Sequence, residues 1–99
     1  MEKTIKIDGK DVRLKITAAF PLRFNALTGK EYFSNDNATQ RFYDVVWAAA
    51  KCADETIPDV LEWVESFETF PIFSIFNEVT DFISKSITAT KNAKPAAGK

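Results

Sequence analysis

The chain has no histidine, one cysteine and three glycines in its 99 residues, and each scarcity removes a class of chemistry. Without histidine there is no imidazole base, no histidine metal ligand and no Ser-His triad. Cys52 stands alone, so it cannot close an intrachain disulfide, be activated by a neighbouring imidazole or assemble a zinc site. It is expected to be a small buried hydrophobe in a reducing compartment. Gly9, Gly29 and Gly98 are too scattered for a phosphate loop or a dinucleotide fingerprint. Asp54, Glu55 and Asp59 cluster, but beside a helix start, where negative charge is favoured in any case. No apolar run approaches the roughly 20 residues of a membrane span, and the first sixteen residues alternate charge with Ile and Val instead of forming a leader. The expectation is a soluble, cytoplasmic protein that takes no cofactor or metal and catalyses no reaction.

What is present is apolar bulk. Hydrophobic residues make up 45% of the chain and include nine Phe, enough for one folded domain with a real core. The net charge of −1 hides a division along the chain. Residues 1–30 carry seven Lys or Arg against three acids, a balance of +4. Residues 31–84 carry two bases against eleven acids, a balance of −9, and residues 85–99 carry four Lys and no acid. Either the exposed helical faces merely happen to be acidic, or the helical middle presents a negative surface to a basic partner. An acidic middle argues against nucleic acid, which needs clustered Lys and Arg at its phosphates.

Thr4 to Ile7 and Val12 to Ile16 alternate apolar and polar residues around Asp8-Gly9, the signature of a β-hairpin. Its apolar face of Ile5, Ile7, Val12, Leu14 and Ile16 must lie on helices, because a lone hairpin is marginal in water. Phe20 to Gly29 predicts a short helix with Pro21 at its start, Phe20, Phe24 and Leu27 on one face, and Gly29 as its left-handed stop. Asn35-Asp36-Asn37 reads as a loop ending near an N-cap. A helix follows from about Ala38 to Asp54, with Phe42, Val45, Val46, Ala49 and Ala53 as its inward stripe. Ala48-Ala49-Ala50 would let a neighbouring helix approach closely. Tyr43 and Trp47 lie off that stripe, either capping the core's edge or left for a partner.

Thr56-Ile57-Pro58-Asp59 predicts the next start, with Thr56 as N-cap and Asp59 at the capping-box position. Its inward stripe would be Ile57, Val60, Leu61, Val64 and Phe67, with Trp63 on the flank and Glu62, Glu65 and Glu68 in solvent. After a break at Thr69-Phe70-Pro71, Pro71 opens a long final helix. Ile72, Ile75, Phe76, Val79, Phe82, Ile83 and Ile87 cover about half its circumference. Asn77, Glu78, Asp81, Ser84 and Lys85 take the other side. This helix is the element the remainder is expected to fold around. Thr88 to Lys99 has no apolar period and is expected to be a disordered basic tail. The expected fold is α+β: residues 1–87 form one domain in which the N-terminal β-hairpin packs on a bundle of about four α-helices.

In this order, IKIDGKDVRLKI, AAFPLRFNALTGK, FYDVVWAAAKCAD, TIPDVLEWVESF and an aromatic-rich last helix, residues 4–87 resemble the tail assembly chaperones of long-tailed bacteriophages and related prophages. The likeness lies in architecture and texture, not in a fixed motif. It implies a non-catalytic protein of the host bacterial cytoplasm, not expected in the mature virion. Such a protein coats the tape-measure protein, keeps it soluble and recruits tail-tube subunits. It also implies, for many members, a longer form made by ribosomal frameshifting.

Binding an apolar-striped polypeptide requires apolar surface. The candidates are Tyr43, Trp47, Trp63, Phe73 and Phe82, all at stripe margins, wherever they stay exposed; the alternative for each is to complete the core. A homo-oligomer is left open, and neither nucleic acid nor membrane is an expected partner. The other function considered is a small phage or bacterial adaptor or inhibitor that grips its partner through the acidic helical face.

Overall fold

In the computed structural model, which describes residues 1–33 and 38–87, the N-terminal alternation becomes a two-stranded antiparallel hairpin. Strand β1 (Glu2–Ile7) pairs with β2 (Lys10–Lys15), with Ile5 opposite Val12 and Ile7 opposite Lys10. Asp8 (φ 56°) and Gly9 (φ 77°) both occupy the left-handed region, as a two-residue turn matched to strand twist requires. The backbone N–H of Ile16 donates to the Met1 carbonyl at 2.9 Å, carrying the pairing one step past β2. Ile5, Ile7, Val12, Leu14 and Ile16 are buried, while Lys6, Arg13 and Lys15 face water.

Helix α1 (Phe20–Thr28) has Pro21 in its first turn and ends at Gly29 (φ 73°), whose N–H donates to the Asn25 carbonyl at 2.9 Å. Phe20 and Phe24 are buried and meet the ring of Tyr32 edge-on, at 5.8 and 5.3 Å between centroids. Tyr32 is held there by its own N–H, which donates to Asn25 Oδ1 at 2.7 Å.

Helix α2 (Ala38–Ala53) is the centre of the molecule, packing against β2, α1, the short helix α3 (Val60–Glu65) and the last helix α4 (Ile72–Ile87). Every residue from Asp44 to Ala50 is buried. This corrects the expectation that α4 organises the chain. An apolar stripe marks a helix that touches core on one side, and α4 is such a helix. The Ala48-Ala49-Ala50 run, having no bulk, lets neighbours close on α2 from all round. Along α4, Ile75, Val79, Phe82 and Ile83 are buried and Asn77, Glu78, Asp81, Ser84 and Lys85 exposed, as the periodicity predicts.

The start of α3 departs from expectation. Asp59, not Thr56, is the N-cap, its Oδ1 accepting from the Glu62 N–H at 3.0 Å. Thr56 instead closes a turn, its hydroxyl and N–H both donating to Asp54 Oδ1, at 2.6 and 3.0 Å. Trp63 is the buried residue of α3; Ile57, Val60, Val64 and Phe67 of the expected stripe pack half-buried against the core, and Leu61 points out. Six residues are too few for hydrophobic periodicity to set the phase of a helix, so packing sets it. Asn35-Asp36-Asn37 and the basic segment 88–99 lie outside the described residues. No helix among the described residues is long and apolar enough to cross a membrane.

Candidate partner-binding surface

The side of the molecule where α2 faces α3 and the start of α4 carries most of the described aromatic residues. Their arrangement begins with two of the candidate anchors, which the structure buries. Trp47 is 8% exposed and its indole N–H donates to the Pro58 carbonyl at 2.8 Å. Trp63 is 6% exposed and meets Phe67 and Phe70 edge-on, at 5.5 and 5.7 Å. Phe82, likewise buried, belongs to the α4 face against the core. These three complete the core and offer no surface in this conformation. The physical reason is area: a domain this small cannot spare large rings that can be covered.

Tyr43 and Phe73 are different. Tyr43 is half-buried, its ring 5.6 Å from Phe70. Phe73 is 68% exposed and leans edge-on against Phe42 at 5.6 Å, with Phe42 in turn 4.5 Å from Phe76. Beside Tyr43 opens a groove of about 360 Å³ between α2 and α3, lined by Gln40, Tyr43, Val60, Leu61 and Val64. Its wall includes Leu61, 66% exposed. The inward-stripe assignment concealed Leu61; had α3 been phased on Trp63, the sequence would have shown it outward.

Next to this groove, and sharing Gln40 and Val60 with it, a second hollow of about 310 Å³ holds two carboxylates, Asp44 and Asp59. Asp44 is buried and paired on both oxygens: the Lys30 ammonium donates to Oδ2 and the Gln40 amide to Oδ1, each at 2.9 Å. Pairing of this kind offsets the cost of burying a carboxylate. The solvent side of α3 is negative, with Glu62 and Glu65 exposed, and Glu68 is exposed in the connection that follows. No Lys or Arg occurs anywhere from residue 52 to residue 84.

Little reactive chemistry accompanies this surface. Burial pushes the Cys52 thiol up, against the opposing pull of Arg23 and Lys15, so its thiolate is disfavoured at neutral pH. Burial also raises the Tyr32 phenol, with Arg41 lowering it. Among the described residues no group of three or more Cys, Asp or Glu is placed to hold a metal ion. The arrangement can bury apolar side chains of another molecule and attract positive charge. Comparison with protein-family models, with curated proteins and with solved structures finds no match.

Proposed function

We propose that this chain is a non-catalytic binding protein of the tail assembly chaperone type, which holds an apolar-striped tape-measure polypeptide soluble in the bacterial cytoplasm and helps recruit tail-tube subunits. One observation carries the reading: an open apolar groove between α2 and α3, walled by Tyr43, Val60, Leu61 and Val64, with Phe73 separately exposed at the start of α4. Apolar surface grouped in this way, with acidic residues at its margin, fits association with another polypeptide better than a metabolite site. A metabolite needs several convergent polar groups to fix its orientation, and among the described residues Gln40 and Tyr43 are the polar side chains that line the groove. The resemblance of residues 4–87 to the phage chaperones supplies the identity of the polypeptide.

Co-expression tests the reading. A tape-measure fragment that is insoluble alone should become soluble and co-purify when this chain is present. A fragment that stays insoluble beside it, or is soluble without it, removes the main support. A second reading, a small adaptor that binds through charge alone, is favoured by the exposed Glu62, Glu65 and Glu68. It requires binding that disappears at high salt even when Leu61 and Phe73 are intact.

A further inference from the structure

We propose that the groove between α2 and α3 receives a single amphipathic helix of the partner, apolar along one face and bearing Lys or Arg beside it. The proposal rests on the polypeptide-binding function above and names the site and the form of the bound segment. Both walls of the groove are helices, which present no strand edge, so an extended strand would find no ladder to join. Recognition must therefore run through side chains. Val60, Leu61 and Val64 line the groove from α3, and Gln40 and Tyr43, three residues apart, line it from α2. That is the form of surface into which a third helix lays residues spaced three and four apart.

Charge selects the sign of the incoming helix. Glu65 stands four residues after Leu61, hence beside it on the rim, and Asp59 lies at the N-terminal end of α3 within the adjoining hollow. Among the described residues Lys30 is the one cation lining these two cavities, and it is bound to Asp44 and not to the acids of the rim. A second copy of this chain fits poorly. The apolar face of its own α4 is already buried, and the acids on the exposed face, Glu78 and Asp81, are paired with Lys3 and Lys85, so α4 offers the rim no unpaired cation.

The test uses the full chain and three labelled 16-residue synthetic helices. The first has Leu at positions i, i+4 and i+8 with Lys on either side; the second replaces Lys by Glu; the third replaces Leu by Ala. By fluorescence anisotropy at low salt, the Leu/Lys helix should bind about tenfold or more tightly than either other peptide, as expected for loss of anchors or of charge complementarity. Leu61→Asp, at an exposed position, should weaken that binding by about tenfold with an unchanged circular dichroism spectrum. Glu65→Gln should narrow the gap between the Lys and Glu peptides. Amide shifts on titration should fall on residues 40–47 and 59–65.

Equal binding of the Lys and Glu peptides, binding indifferent to Leu61→Asp, or shifts confined to another face overturns the proposal. So does a sedimenting dimer of the free chain that Leu61→Asp abolishes, since the groove would then be filled by a second copy. If none of the helices binds while the tape-measure fragment is still rendered soluble, this site is wrong and the chaperone function stands. If the Leu/Lys helix binds in the groove and the fragment is not solubilised, the site stands and the chaperone function falls.

Discussion

The indole N–H of Trp47 donates to the carbonyl of Pro58 across 2.8 Å, so a ring in the middle of α2 fixes the segment that leads into α3. The bond explains why Trp47 turns inward although it lies off the stripe of its helix: the ring covers core and its one polar atom finds a partner. Trp47→Phe should retain most of the packing, leave that carbonyl without its donor, and cost roughly 1–3 kcal/mol. Trp47→Ala should cost roughly 3–5 kcal/mol, because it also opens a cavity. Urea midpoints read at constant m-value would separate the two losses.

Asp8 does two jobs. It takes the left-handed turn position, and its carboxylate ties the hairpin to the α3–α4 connection, Oδ2 accepting from the Glu68 N–H at 3.0 Å and Oδ1 from the Thr69 hydroxyl at 3.2 Å. Asp8→Asn preserves the turn preference and one acceptor and should be nearly neutral. Asp8→Ala should lose roughly 1–3 kcal/mol through the turn and the two bonds together. Faster hydrogen exchange at the Glu68 amide in Asp8→Ala alone would locate the effect.

Two hydrogen bonds from Thr56, the hydroxyl first and the N–H second, hold the Asp54 carboxyl below its ordinary value of 3.8. A group depressed in the folded state adds stability above its unfolded pKa and loses that contribution as pH falls through the folded value. The Asp54 contribution should therefore be complete above about pH 4 and fade below it. In a carbon-detected NMR titration, Thr56→Ala should bring the Asp54 carboxyl back toward the ordinary range, and an unchanged midpoint would refute the assignment.

On α4, burial separates stability from binding. Ile75 is buried and Phe73 is exposed. Ile75→Ala should cost roughly 2–5 kcal/mol, a large share of what a domain of this size possesses. Phe73→Ala should change stability by no more than about 0.5 kcal/mol. Its effect should appear instead as weaker co-purification of the tape-measure fragment.

Lys30→Met leaves the buried Asp44 carboxylate with only the Gln40 amide. The loss should be smaller than the roughly 3–5 kcal/mol of a fully buried pair, because the Lys30 side chain is half exposed. Adding Asp44→Asn should recover most of it. Thermal melts of the two single variants and the double would complete the cycle, and strict additivity would show that the pair is not coupled.

Local chemistry made the hairpin, α1 and α4 legible. Asp8-Gly9 between alternating residues, Pro21 and Gly29 around two turns, and a four-turn apolar arc each declare themselves within a few positions of chain. Three features were not legible: the cap at Asp59, the outward turn of Leu61, and the inward fate of Trp47 and Trp63. Where more large residues border a helix than it has sides to bury, neighbouring elements choose among them, and those neighbours are far apart in sequence. Residue order alone therefore determined which segments are strand or helix and where the charge lies. Only the packing around α2 decided which aromatic rings close the core and which apolar side chains, Leu61 and Phe73 among them, remain at the surface.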